Sequence, residues 1–209
     1  MNVQTAEPAP QPPAASPAPP SFRRIVLTGF MGAGKTTVGR LLAARLAWEF
    51  LDLDTFIESR TGLSVPAIFA THGELRFRQL ESTALASALG RGNVVIALGG
   101  GTPEVLTNRL LLEQTPATST VFLDAPFPAL FDRCMLQALN SAPANPGDSV
   151  DPSQIRPVLA DPAAAEARFL TRQPIYRRLA RLTIATADLT PEQTVDTLLA
   201  QLSAPTARR

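Results

Sequence analysis

Apolar residues along this chain follow two rhythms. Short unbroken apolar runs alternate with longer stretches in which apolar positions recur every three or four residues. The first rhythm reads as buried strands and the second as helices with one buried face. Residues 23–30 open with the run Ile25-Val26-Leu27. Residues 34–47 follow with Val38, Leu41, Leu42, Arg45 and Leu46 at helical spacing. Runs at 50–54, 93–98, 120–124 and 183–187 predict four further strands. Helices are predicted over 74–89, from Pro103 onward, over 127–139, and from Asp161-Pro162 through Arg172. Proline is tolerated in the first turn because its missing N–H has no partner there anyway. Thr190-Pro191-Glu192-Gln193 is a capping box that opens a last helix.

Strands alternating with helices are βαβ units, and such units build a parallel sheet. The expected fold is therefore a three-layer α/β domain, a five-stranded parallel sheet flanked by helices. Ligands of such sheets bind beyond the carboxyl ends of the strands. Chemistry is therefore expected just after Phe30, Leu53, Leu98, Asp124 and Ala187.

Two stretches break the rhythm. Residues 1–21 are mostly Pro, Ala, Ser and Gln, with Glu7 their one charge. They read as a disordered extension, lacking the charged start and apolar stretch of a secretory signal. The folded domain is expected over 22–204. Residues 137–161 are rich in Pro, Asn, Ser, Asp and Gly with no periodicity. An irregular segment of that length inside a compact domain is usually functional or disordered, and here a mobile lid is expected.

Composition narrows the partners. Lys+Arg is 19 and Asp+Glu 18, a near balance that argues against nucleic acid or a polybasic membrane contact. No apolar run reaches the roughly 18–20 residues that span a bilayer. A single cysteine, Cys134, excludes an internal disulfide framework and fits the reducing cytoplasm. Among the 19 basic residues only Lys35 is lysine. It lies in Gly29-Phe-Met-Gly-Ala-Gly34-Lys35-Thr36, the P-loop pattern, between a predicted strand and a predicted helix. A phosphate cradle needs a compact ammonium there, and a planar guanidinium does not fill that place.

The P-loop reading assigns roles. Gly32, Ala33 and Gly34 bring backbone amides and a helix amino end against phosphate oxygens. Lys35 reaches the β- and γ-phosphates of ATP, Thr36 takes a Mg²⁺ ion, and Thr37 takes a further phosphate oxygen. A Gly-rich turn without a ligand is the alternative. In Asp52-Leu53-Asp54, strand alternation places both carboxylates on one face. Asp52 is a candidate to hold the metal through water, and Asp54 to accept the proton of a substrate hydroxyl. The alternative is a strand end that caps the next helix through Asp54. Arg78 and Glu81 share a helix face, as a surface ion pair also would. Gly99-Gly100-Gly101 follows a buried strand and fits close approach of a ligand, or simply a tight turn. Arg156, in the irregular segment, and Arg172 are candidate anion ligands. His72 and Cys134 lack companions for a metal site or nucleophile pair and read as structural.

Taken together, residues 29–37, 51–54, 77–81, 99–101, 156–159 and 172–176, in that order, resemble the shikimate kinase family of P-loop proteins. The likeness runs from about Arg23 to Leu202. It implies transfer of the ATP γ-phosphoryl to the 3-hydroxyl of shikimate, on the way to chorismate, with one Mg²⁺ per ATP. Residues 32–37 match the family's ATP loop and Asp52 its metal-side aspartate. Asp54, Arg78, Gly100 and Arg172 match shikimate-binding positions, and Arg156 matches the lid arginine. Two arginines, Arg78 and Arg172, suit a carboxylate clamp, with Glu81 holding Arg78 in place. Gly99 and Gly101 flank that pocket. The segment 141–153 is longer than the family's usual lid, which leaves the part of an adenine-side arginine such as Arg133 open. The loop 187–190 is expected to meet the base through its backbone. A gluconate-type kinase and a non-catalytic ATP- or shikimate-sensing module remain competing readings. Every expected ligand comes from one chain, so a monomer is the default.

Overall fold

The computed structural model describes residues 22–140 and 161–203. The expected extension over 1–21 and most of the expected lid, Arg156 included, lie outside the described residues.

Five strands form one sheet: β1 Arg24–Thr28, β2 Glu49–Asp52, β3 Val94–Ala97, β4 Thr118–Asp124 and β5 Leu182–Ala185. Their order is β2-β3-β1-β4-β5, and every pair is parallel. The helices are α1 Lys35–Leu46, α2 Leu53–Thr61, α3 Val65–Leu89, α4 Leu106–Gln114, α5 Phe127–Asn140, α6 Pro162–Leu179 and α7 Pro191–Ser203. Strand alternation divides the core into two layers. Ile25, Leu27 and Val95 face one side, packed with α1 and α7. Val26, Val94 and Ile96 face the other, packed with α2, α3 and α4. This is the three-layer parallel α/β architecture that the alternating rhythms predict.

The structure departs from expectation in four places, each with a local cause. The second strand stops at Asp52, and Leu53 already opens α2. Asp52 is the cap: its side chain accepts from the amides of Asp54 and Thr55. The shared strand face expected for Asp52 and Asp54 therefore does not exist, and Asp54 sits in the first turn of α2. The helix expected from Glu74 is the second half of α3, which starts at Val65 behind the cap Ser64 and breaks at Gly73 (φ 76°, ψ 172°). Only glycine takes that backbone readily. Pro103 lies in a 3₁₀ turn, Thr102–Glu104, ahead of α4.

The last departure concerns α6, which runs through Pro174 to Leu179. An interior proline costs about 3 kcal/mol in an isolated helix. Here the turn beyond it is anchored: Tyr176 is fully buried, its ring 5.5 Å from Phe122, and its hydroxyl donates to the Gly100 carbonyl at 2.5 Å. Burying one large side chain returns roughly 1.5–3 kcal/mol, which offsets most of the break.

Candidate active site

The functional side chains gather at the carboxyl ends of β1, β2 and β3. The P-loop leaves β1 and enters α1. Phe30 is buried in it, its ring 5.5 Å from Phe169 of α6 and 6.3 Å from Phe127 of α5. That aromatic anchor ties the loop to two helices. Gly32 has φ 74°, and a Cβ there would stand 2.3 Å from the Leu130 carbonyl oxygen, so no side chain fits. Gly34 ends the loop in left-handed backbone, and no side chain caps α1. The first turn of α1 also holds no acid. Its amides are thus left for an anion, which the positive end of the helix favours.

The Lys35 ammonium donates to the Gly29 and Phe30 carbonyls at 2.9 and 3.0 Å, folded along the loop. The Thr36 hydroxyl donates to Asp52 Oδ2 at 2.8 Å, while Asp52 Oδ1 accepts the α2 amides. One aspartate therefore orients both α2 and Thr36. Among the described residues no group of three or more His, Cys, Asp or Glu could hold a metal by itself.

Asp54 faces the triple-glycine turn. A Cβ on Gly99 would lie 2.9 Å from Asp54 Oδ1, 3.1 Å from the Thr102 hydroxyl and 3.2 Å from Glu81 Oε1. Burial pushes the Asp54 carboxyl up to about 6, helped by the negative charges of Asp52, Glu81 and Glu58 and opposed by Lys35. A carboxyl near neutrality is suited to proton transfer.

The three glycines, read as one motif, have three different neighbours. Gly99 borders Asp54. Gly100 borders Arg172, with Arg172 Nη1 3.5 Å from where its Cβ would be, and Tyr176. Gly101 borders Arg78, whose guanidinium would lie 2.6 Å from an added Cβ. An added Cβ would crowd neighbouring side chains at Gly99 and Gly101, whereas at Gly100 it would meet them at ordinary contact distance.

Arg78 donates to Glu81 at 3.0 Å and to Glu74 at 3.1 Å. Glu81 is 1% exposed and also accepts from the Thr102 hydroxyl at 2.6 Å. The Arg78–Glu81 pair is therefore a buried brace and not a surface ion pair. The Arg78 guanidinium is held firmly protonated by these carboxylates against the cost of burial. Arg172 donates to Glu104 at 2.8 Å. Asp124, at the end of β4, accepts from Gln173 and Arg177 at 3.2 and 2.9 Å and fixes α6 beside the site.

Sequence reasoning missed Thr102, Glu104, Glu74 and Asp124. Thr102 and Glu104 follow the glycines directly, which is the one signal that pointed to them. Arg133 of α5 donates to the carbonyls of Thr186 and Ala187 at 2.5 and 3.0 Å, so it does meet the loop expected to receive the base. Cys134 is buried against Gly32, and His72 is exposed on α3. No described helix is long and apolar enough to cross a membrane.

Comparison with known proteins gives the family. The family described as shikimate kinase matches residues 31–203. A shikimate kinase of Nitrobacter winogradskyi is 38% identical over 177 residues, spanning 83% of this chain and 74% of that protein. The structure of an Acinetobacter baumannii shikimate kinase in complex with shikimate superposes with a TM-score of 0.73 at 32% identity, covering 90% of this chain and 97% of that one. A gluconokinase from Sinorhizobium meliloti shares the fold at 18% identity, with a TM-score of 0.52 and coverage of 88% and 94%. The family match over residues 31–203, together with a relative 38% identical over 83% of the chain, places the protein in the shikimate kinase family.

Proposed function

We propose that this chain transfers the γ-phosphoryl group of ATP to the 3-hydroxyl of shikimate, giving shikimate 3-phosphate and ADP. The observation that carries the reading is the grouping around residues 99–101: Asp54, Arg78 and Arg172 each abut a different glycine of one turn. A base beside two guanidiniums suits an acceptor with both a hydroxyl and a carboxylate.

In this reading residues 32–37 hold the ATP phosphates, with Lys35 on the β- and γ-oxygens. Asp54 accepts the proton of the attacking hydroxyl as the new O–P bond forms and the bond to the ADP oxygen breaks. Arg78 and Arg172 hold the acceptor's carboxylate, with Glu81 keeping Arg78 in place. Gly99, Gly100 and Gly101 let the ring approach. Arg156 is assigned to the phosphates from the lid. The oxygens of Thr36 and Asp52, 2.8 Å apart, suit one Mg²⁺ shared with the nucleotide, since that ion takes one or two protein oxygens plus phosphates and water. Its chemistry when bound is charge neutralisation on the β- and γ-phosphates. The site needs one chain, so the proposed form is a cytoplasmic monomer with no nucleic-acid or membrane partner.

The Sinorhizobium gluconokinase shares only the fold at its 18% identity, so a gluconate-type acceptor has less support. A non-catalytic sensor has less support as well, because the described part of the catalytic set is intact.

Arg172→Ala is expected to raise the KM for shikimate about tenfold to hundredfold, the worth of one charge-assisted hydrogen bond at 1.4 kcal/mol per decade. The KM for ATP should change little. Steady-state kinetics with each substrate varied decides it. An effect confined to ATP would move Arg172 to the nucleotide side.

A further inference from the structure

Arg78 and Arg172 are not idle in the described molecule. A single oxygen, Glu104 Oε2, lies 2.8 Å from Arg172 Nη2 and 3.9 Å from Arg78 Nη2. It stands between the two guanidiniums. The proposed function asks a substrate carboxylate to stand in that same relation to them. The immediate group holds Arg78 and Arg172 against Glu74, Glu81 and Glu104, two formal positive charges against three negative. Like charge disfavours a further anion in such a group unless one carboxylate withdraws or takes up a proton.

The three acids are not equally able to withdraw. Glu81 is 1% exposed and is held by both Arg78 and Thr102. Glu74 is 68% exposed and binds Arg78, with no bond to Arg172. Glu104 is 35% exposed and is the carboxylate on Arg172. Its backbone is pinned where its side chain is not: the Glu104 amide donates to the Gly101 carbonyl at 2.9 Å, and its carbonyl accepts from Arg109 at 3.0 Å. Rotation about its side-chain bonds would clear the arginines without moving the turn. Arg172 Nε, meanwhile, is buried with no hydrogen-bond partner, a donor that the Glu104 contact leaves unmet. A planar guanidinium presents its Nε and Nη donors as a fork to a bidentate carboxylate.

We propose that Glu104 stands in for the acceptor's carboxylate between Arg78 and Arg172, so that acceptor binding is an exchange of one carboxylate for another and Glu104 sets acceptor affinity. The inference rests on the assignment of these arginines to the acceptor. Glu104 is a positioning residue: it keeps both guanidiniums aimed at one point while the site is empty, at a cost in affinity when the acceptor arrives.

The test is shikimate binding by calorimetry without nucleotide, on the full chain and on Glu104→Gln and Glu104→Asp. Neutralising a like charge a few ångströms from the bound carboxylate should lower the Kd by about three- to tenfold in Glu104→Gln. Glu104→Asp, which keeps the charge, should stay near the unaltered chain. The methyl ester of shikimate, which carries no charge, should gain nothing from Glu104→Gln. A weaker or unchanged Kd for shikimate in Glu104→Gln would make Glu104 a simple brace or a bystander and overturn the proposal. Equal tightening for the ester would overturn it too, since the effect would not be one of charge. If the unaltered chain binds no shikimate, the acceptor assignment itself has failed, which is a separate result from the variant's.

Discussion

Lys35→Met should remove turnover, by about a thousandfold or more, while the protein still folds. The ammonium is the one compact positive charge that the P-loop places among phosphate oxygens, folded along the Gly29 and Phe30 carbonyls at 2.9 and 3.0 Å. Removing one preorganised charge-stabilising donor from a transfer site typically costs 10²–10³ in rate, and here a full charge and its positioning are lost together. Met keeps the length and much of the volume of the Lys stem. Packing below the loop, carried by Phe30 on Phe127 and Phe169, is untouched. A side effect follows from the neighbourhood. Lys35 holds the Asp54 pKa down, so its loss should push that carboxyl higher still. Retained ADP release in a folded variant would remove the P-loop from the mechanism.

Asp54→Asn should lose shikimate-dependent turnover by about 10²–10⁴, the usual worth of a general base, and should make the protein more stable. The two effects have one origin. Asp54 is held at about 6 against an ordinary 3.8, so its charged form is disfavoured in the fold. The folded state then binds this proton more tightly than the unfolded state does. Stability from this group is present at low pH and is lost as pH rises from about 4 through about 6. Above that range the ionised carboxylate is a net burden. At 1.36 kcal/mol per unit the shift sets a ceiling of roughly 3 kcal/mol. Asparagine must still be desolvated, so the expected gain is about 1–2 kcal/mol. For a chain of this size that is a rise in Tm of about 2–8 °C. The gain should appear at pH 8 and vanish below pH 4, measured without nucleotide and with metal chelated. An unchanged or lower Tm at pH 8 would show that the carboxylate is not strained by its neighbours, and full activity would take it out of the reaction.

These two residues also show what the sequence makes legible. Lys35 was readable because a loop that wraps a phosphate needs glycines at fixed places, and that constraint is local. The same holds for the strands: in a sheet covered on both faces they are unbroken apolar runs. β1 and β3 lie within their expected spans, and β4 covers its span and starts two residues earlier, at Thr118. Asp54 was readable as a candidate but not in its true place. The turn from β2 into α2 happens within one residue, and Asp52 caps that turn with its side chain. An Asp-x-Asp string is compatible with either arrangement until the cap is seen. The first half of α3 escaped for a related reason. Gly73 interrupts it, and Gly62 and Ser64 crowd two helix ends together.

Other parts of the site were out of reach because they depend on distant contacts. The persistence of α6 past Pro174 is decided by Tyr176 on the Gly100 carbonyl, 76 residues away in sequence. Glu104 is marked only by its place shortly after the glycines. Only the sheet order, which sets the end of β3 beside the helix carrying Arg172, brings its carboxylate to the arginines. With 18 arginines in the chain, charge alone singles out none of them.

The account stands or falls on acceptor choice. ADP release from the purified chain, with ATP and Mg²⁺ and with shikimate, gluconate or no acceptor, measures it most directly. The account predicts strong stimulation by shikimate and none by gluconate. Stimulation by gluconate, or ATP binding with no stimulation by either acid, would contradict it.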